Sequence, residues 1–289
     1  MQMQMLRPYN ALNPMSLLFL KLGGSAITDK TRAATPKPDV IRDAARAIKS
    51  ARAQNPELQI LLGHGSGSFG HFTAKKFGYG EKNNWRAYAE TGASAARLNR
   101  LVTDIFLEDQ VPVVSLQPSA SARTRNGELY TLDVANIVTA LDHNLIPLIY
   151  GDVAFDDARG MAIVSTDAQF AYLAPILKPS RIIYTTAVNG IYTADPTKNP
   201  DAQLIREITP ATFEEIRAQV GEAQGFDVTG GMLDKLARSV ALVEEFPLLE
   251  IFVIGAQEKE IENALTQHNF AGGTRIRAGG TRQADLESG

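Results

Sequence analysis

At 289 residues, with 44% hydrophobic and 21% charged side chains, the chain can bury a sizeable core as one large α/β domain or two smaller ones. Its 29 basic and 32 acidic residues leave a net charge of −3, so no basic field marks nucleic acid as a partner. Without cysteine there is no disulfide, thiolate nucleophile or Cys–zinc site, and His64, His71, His143 and His268 have no metal-ligand spacing, so no protein-held metal is expected.

No apolar run nears the roughly 20 residues of a membrane helix. Residues 1–15 carry one basic residue, Arg7, and no apolar h-region. No membrane partner and a cytoplasmic location are the expectations.

Residues 1–15 read as a loose extension, and Leu17–Leu20 as a buried strand running into Lys21-Leu22-Gly23-Gly24-Ser25. Residues 26–38, with Pro36 and Pro38, read as loop. Val40, Ile41, Ala44, Ala45 and Ile48 recur at helical period, which predicts a helix over 40–53. Ile60-Leu61-Leu62 marks the next strand. Gly63, Gly65, Gly67 and Gly70 then fall within eight residues, a loop whose backbone can approach another group closely. A helix start is placed at Ala74–Lys76 within an irregular stretch over 72–84. A long helix follows from Tyr88 to Leu107.

Val113–Leu116 and Ile146–Tyr150 read as strands, the second ending in Gly151-Asp152. Between them lie a tight turn at Asn126-Gly127 and a helix over 133–142. Asp156–Gly160 is a turn. Ser165-Thr166-Asp167 caps a helix reaching Leu177, ahead of a strand at Arg181–Thr186. A long loop spans 187–203. Helices over 210–220 and 232–245 flank a glycine-containing loop, and a strand at 249–254 precedes a last helix at 259–266. Residues 279–289 read as a loose terminus. Strands alternating with helices predict an α/β fold with a mostly parallel sheet and helices on both faces. Such strands end at a common crevice, so the loops after Lys21, Gly63, Tyr150 and Thr185 should share one site.

A strand, a glycine loop and a helix start make an anion cradle, because unbonded N–H groups point at the ligand. Gly65–Gly70 also spells G-x-G-x-x-G, a dinucleotide pattern. Against that reading, the acid about 20 positions on, Glu90, lies inside a predicted helix, and the strand at 17–20 precedes the loop. Lys21 precedes its glycines, so its segment is no P-loop. It puts a cation at a strand end beside a tight turn, which serves either a solvated lysine or a phosphate. His71 closes the glycine loop and could hydrogen-bond a phosphate oxygen. His64 could do the same, while His143 and His268 lack such a context. Lys235 follows the glycine turn Thr229-Gly230-Gly231-Met232 at a helix start. Asp167 either caps its helix or serves as a counter-charge between two lysines.

In chain order, Lys21-Leu22-Gly23-Gly24-Ser25, the glycine loop, Ser165-Thr166-Asp167, the Thr185–Tyr192 segment and Thr229-Gly230-Gly231-Met232 with Lys235 resemble the amino acid kinase family over about residues 17–277. Within it, Ile27-Thr28-Asp29-Lys30, Gly67-Ser68-Phe69-Gly70-His71, Gly151-Asp152-Val153 and Asp227–Met232 are similar to the isopentenyl phosphate kinases. Fosfomycin kinases carry a related Phe-Gly-His loop. The chain departs from many relatives in three places. Gly65-Ser66-Gly67 stands for three glycines, Ser165-Thr166-Asp167 for Ser-Gly-Asp, and Thr186-Ala187-Val188-Asn189-Gly190 for Thr-Asp-Val-Asp-Gly.

The resemblance implies an open αβα sandwich, a single domain over 16–278 with an acceptor-binding lobe at 16–179 and a nucleotide-binding lobe at 180–278. It implies ATP with Mg2+, a small-molecule phosphate acceptor, a homodimer, and phosphoryl transfer to isopentenyl phosphate. A kinase of another small phosphate or phosphonate such as fosfomycin, and an inactive nucleotide-binding regulator, are the alternatives. On the family pattern Lys21, Lys30, His71, Asp167 and Lys235 are catalytic. Gly23, Gly24, Ser25, Thr186, Gly190, Tyr192, Gly230, Gly231 and Lys235 would contact the nucleotide, and Gly67, Ser68, Gly70, His71, Gly151 and Asp152 the acceptor. Phe72, Phe77, Tyr88 and the long helix are candidates to line an apolar tail pocket.

Overall fold

The structure, a computed structural model, describes residues 17–81, 84–222 and 230–279, with the backbone alone for 218–222, 230 and 231. The expectations for 1–15, for Asp227–Thr229 and for 280–289 lie outside the described residues.

The chain begins with β1 (Leu17–Leu22), α1 (Gly24–Ile27), α2 (Pro38–Gln54), β2 (Gln59–His64), α3 (Gly67–Phe77), α4 (Trp85–Glu108) and β3 (Val113–Ser115). The hairpin β4 (Arg123–Arg125) and β5 (Glu128–Thr131) follows, then α5 (Ala135–Asp142), β6 (Ile146–Tyr150), β7 (Asp152–Asp156), β8 (Gly160–Val164) and α6 (Thr166–Leu177). Next come β9 (Arg181–Thr186) and the short strands β10 (Ile191–Tyr192), β11 (Leu204–Ile205) and β12 (Glu207–Ile208). The remainder is α7 (Pro210–Glu222), α8 (Gly230–Glu245), β13 (Glu250–Gly255), α9 (Glu258–Thr266) and β14 (Thr274–Ile276).

Eight strands form one sheet in the order β12-β14-β13-β9-β1-β2-β6-β3. Neighbours are parallel except where β14 runs antiparallel to β13. All six residues of β1 are buried, because helices cover both faces of the sheet. Successive side chains of a strand point to opposite faces. Leu18, Leu20 and Leu22 therefore join Ile60, Leu62, Ile41, Leu98 and Ile261 in one core. Leu17 and Phe19 join Leu61, Phe170, Leu173 and Leu236 in the other. Each fully buried aliphatic side chain of this kind contributes about 1.5–3 kcal/mol. The layers are those of the expected αβα sandwich.

Three local expectations change. The helix placed at Ala74 begins at Gly67, and 72–77 continue it to a left-handed Gly78 at φ 68°. Gly67 itself has φ +50°, and a Cβ there would lie 2.2 Å from Thr28 Oγ1, so a residue that reads as loop is the one that lets this helix start. Residues 26 and 27 of the expected loop belong to the single turn α1. Finally, β5-β4-β7-β8 make a second, four-stranded sheet where only turns were expected at 126–127 and 156–160. Its strands are short, and β7 pairs in parallel with the sequence-distant β4, so no local period marks them. Asp156 staples the two hairpins, accepting from Asn126 N at 3.2 Å, Gly127 N at 2.7 Å and Arg159 N at 2.8 Å. Against the effect of burial, these amides hold its carboxyl well below the usual range.

The register of the main sheet sets Lys21 opposite both Gly63 and Tyr184, His64 opposite Tyr150, and Thr186 opposite Gly255. The carboxyl ends of β1, β2, β6, β9 and β13 thus line one edge, as the strand endings predict. Among the described residues no helix is long and apolar enough to cross a membrane.

Candidate active site

Two backbone turns meet at that edge. Gly23, between β1 and α1, donates its N–H to Thr185 O at 3.1 Å, and Gly65, between β2 and α3, donates to Leu22 O at 3.0 Å. The turns touch backbone to backbone. A Cβ on Gly24 would stand 2.6 Å from Gly67 N, and one on Gly65 2.8 Å from Gly24 N. Among the described residues the amides of Gly24, Ser25, Ser66 and Gly67 have no protein acceptor, which is the donor set an anion needs.

Lys21, only 6% exposed, is ion-paired with Asp167. Asp167 lies in the first turn of α6, but the cap of that helix is Ser165, whose hydroxyl accepts from Ala168 N at 3.1 Å. Of its two expected uses, Asp167 therefore has that of counter-charge. Burial pushes its carboxyl up, yet the Lys21 and Lys235 charges outweigh this and hold it below its ordinary value. Its Oδ1 is buried with no hydrogen-bond partner among the described residues. Lys235, half-buried on α8, is pulled down to about 8 by burial and by the Lys21 charge, against the opposing pull of Asp167. The exposed Lys30 adds to that lowering from the turn beyond α1. The ammonium groups of Lys21 and Lys235 stand 5.9 and 5.4 Å from the centroid of the Tyr184 ring.

Gly67, Ser68 and Gly70 form the first turn of α3, and the exposed His71 follows them. Helical side chains lean toward the N-terminus, which for His71 is the direction of that turn. The Ser68 hydroxyl accepts from Thr35 N at 3.2 Å and its amide donates to Thr28 Oγ1 at 2.9 Å, so Ser68 ties α3 to the segment that carries Lys30. Gly151 donates its amide to His64 O at 2.9 Å. The Asp152 carboxylate is occupied by Ser119 N at 3.1 Å and Val153 N at 2.8 Å, and burial raises its pKa.

On the other side of the edge, the Thr186 hydroxyl bonds Val188 O and closes the turn leading to Gly190, which has φ +112°. Asn189 Oδ1 accepts from Gly255 N at 2.9 Å, so the amide that replaces a carboxylate here keeps an acceptor oxygen. Ala187 is exposed just past β9, and Tyr192 pairs with Leu204. Gly230 and Gly231 open α8. Of the tail-pocket candidates, Phe72 is exposed, the Phe77 ring lies under Lys76 and Arg86, and Tyr88 stacks on Phe155 at 4.8 Å.

His64, which the sequence allows as a phosphate donor, is fully buried and cannot serve as one. Tyr184 was not singled out by the sequence, and Thr166 only as the residue standing for the glycine of Ser-Gly-Asp. Thr166 donates to His64 O at 2.7 Å, and its methyl lies where a Cβ on Gly63 would come within 2.5 Å. No sequence signal marks Tyr184, and the departure at Thr166 does not reveal its bond to the distant His64. Among the described residues no group of three or more His, Asp or Glu could hold a metal ion.

The sequence pattern of the amino acid kinase family matches residues 16–254. The isopentenyl phosphate kinase of Methanothermobacter thermautotrophicus is 32% identical over 279 residues, covering 90% of this chain and 98% of its own. That of Methanocaldococcus jannaschii is 34% identical over 230 residues, covering 76% of this chain and 85% of its own. X-ray structures of an isopentenyl phosphate kinase superpose with a TM-score of 0.75 at 30% identity, over 90% of this chain and 99% of the other. The product complex of the Thermoplasma acidophilum enzyme superposes with a TM-score of 0.72 at 27% identity, over 91% and 100% of the two chains.

Proposed function

The chain belongs to the amino acid kinase family, and from that premise we propose that it transfers the γ-phosphoryl group of ATP to isopentenyl phosphate, giving isopentenyl diphosphate and ADP. The observation that carries the reading is the pair of lysines, Lys21 and Lys235, gathered around Asp167 beside two turns of free amides. Similarity to isopentenyl phosphate kinases over nearly all of both chains supports the choice of acceptor.

In the proposed step an oxygen of the acceptor phosphate attacks the γ-phosphorus. The bond from that phosphorus to the bridging oxygen breaks, and ADP leaves with the electron pair. Both reactants are anions, so repulsion is the obstacle, and positioning with electrostatic stabilisation lowers the barrier. No general base is needed, because the acceptor oxygen is ionised at neutral pH. Lys21 and Lys235 act on the transferring group. Asp167 keeps Lys21 in place and favours the protonated form of Lys235. Gly23, Gly24 and Ser25 take nucleotide oxygens, Lys30 follows them from its exposed turn, and His71 with the amides opening α3 holds the acceptor phosphate. Mg2+ supplies charge neutralisation when it accompanies the nucleotide. Among the described residues no cluster of His, Asp or Glu would hold it, so the nucleotide phosphates would carry it.

The order of the sheet supports an acceptor lobe at 16–179 and a nucleotide lobe at 180–278, because β1, β2, β6 and β3 lie on one side of the β1–β9 pair and the later strands on the other. We also propose a homodimer, carried over from the family resemblance, which sedimentation at micromolar concentration reads directly. A panel of acceptors in an ADP-release assay tests the function. Saturable turnover with isopentenyl phosphate is expected. Turnover with fosfomycin in its place, or nucleotide binding with no turnover at all, would overturn the reading.

A further inference from the structure

His64 ends β2, and its side chain takes no part in the chemistry above, yet every part of it is fixed. The ring stacks on Tyr150, with 5.6 Å between centroids and 9° between planes. Its Nδ1 is 3.1 Å from Gly65 O, and its Nε2 is 3.1 Å from Asn99 Nδ2 on α4. Its main-chain carbonyl accepts from Gly151 N at 2.9 Å and from Thr166 Oγ1 at 2.7 Å.

The placement of protons follows from one atom. Gly65 O only accepts, so Nδ1 carries the hydrogen. Nε2 is then bare and accepts, so Asn99 presents its Nδ2 and turns Oδ1 toward Ser115, whose hydroxyl donates to it. This arrangement needs a neutral ring. Burial, opposed by the Gly65 bond and aided by the Lys21 charge, lowers the pKa of His64 to about 4.

We propose that His64 is a positioning residue for the acceptor phosphate: its Nδ1–H holds the Gly65 carbonyl and so orients the free amides of Ser66 and Gly67 that open α3. Two of the three residues in the turn Gly65-Ser66-Gly67 are glycines, which have the most backbone freedom. Its contact with Gly24 is backbone against backbone, with no side chain to stop a peptide rotating. A bond from a buried, tautomer-locked ring removes that freedom before the ligand arrives, and preorganised donors are worth more than donors that must reorient. Asn99 and Ser115, from α4 and β3, act one step further back by locking the tautomer. The inference rests on the proposed function for the identity of the anion.

Two substitutions separate the ring nitrogens. In His64→Asn the carboxamide nitrogen reaches the position of Nδ1 and keeps the bond to Gly65 O. In His64→Gln it reaches the position of Nε2 and loses that bond. His64→Gln is expected to raise KM for isopentenyl phosphate about tenfold or more and to leave KM for ATP within about twofold. His64→Asn should stay within about threefold of the wild-type acceptor KM, although its larger cavity lowers Tm more. Asn99→Leu, which frees the tautomer, should move the acceptor KM in the same direction by a smaller factor, and it stands in if His64→Gln does not fold. Variants ranked by their Tm, or both KM values rising together, would overturn the proposal. Long-range 1H–15N spectra of histidine-labelled wild type read the tautomer without turnover. An Nδ1–H form of His64 is expected, and an Nε2–H form would also overturn it. That measurement judges His64 even if wild type fails on isopentenyl phosphate, a result that counts against the proposed function alone.

Discussion

Asp167 grips Lys21 through one carboxylate oxygen and leaves the other buried with no hydrogen-bond partner among the described residues. Its charge also reaches Lys235, so one carboxylate governs two cations. Asp167→Asn keeps the shape and removes the charge. Turnover should fall about 100-fold or more, as when a preorganised electrostatic contact is lost. Breaking a buried pair costs about 3–5 kcal/mol, but the Asp167 side chain is still 16% exposed, so the low end of that range is expected. The turnover number at saturating substrates and the urea midpoint together check both statements.

Lys235 should impose an alkaline limb on activity. Its pKa is about 8, so kcat/KM is expected to fall as pH rises through that value and the cation is lost. Bound phosphates favour the charged form, so the limb of kcat should lie at higher pH. In Lys235→Arg the limb should vanish, because a guanidinium keeps its proton, even if the remaining activity is low. Stability runs the other way. The unfolded chain holds this proton up to about 10.5 and the folded chain only to about 8, so the contribution of Lys235 to unfolding free energy rises between those values. A pH–rate profile and denaturant midpoints over the same range test both signs.

Gly24→Ala places a Cβ 2.6 Å from Gly67 N and 2.7 Å from Gly67 Cα, both backbone atoms that cannot swing aside. The two amide-bearing turns must separate. A stability loss of about 1–3 kcal/mol is expected, the usual range for overpacking. Loss of turnover should exceed what that destabilisation explains, which assays well below the melting temperature would establish.

His71 is exposed, so His71→Ala removes little packing. Turnover on isopentenyl phosphate should drop about 100-fold while Tm stays within a few degrees. A variant with near-wild-type activity would remove His71 from the site.

Much of this architecture was legible because buried parallel strands are short apolar runs ending in small or polar residues. Leu17–Leu20, Ile60–Leu62, Ile146–Tyr150 and Arg181–Thr186 all announce themselves in that way. The start of α3 was not legible. Glycine has poor helix propensity, so Gly67–Gly70 reads as loop. The helix starts there because Thr28, from a distant segment, caps the Ser68 amide, and because Gly67 tolerates a left-handed φ. The second sheet was missed for a related reason, since its short strands depend on Asp156 and on a non-local pairing. His64 looked like a twin of His71 in the sequence, yet one is buried and the other exposed.

The residue types of the site were determined by the sequence alone: lysines at 21 and 235, an aspartate at 167, glycines at two turns, and a histidine at 71. Their meeting was decided by tertiary structure. Lys21 and Asp167 are 146 positions apart, and no local pattern connects them. They meet because β1 pairs in register with β2 and β9, which brings the ends of the strands to one edge and the start of α6 against it. Interstrand hydrogen bonds and the two buried faces set that register, and a shift of one residue would turn the whole row of side chains to the opposite face.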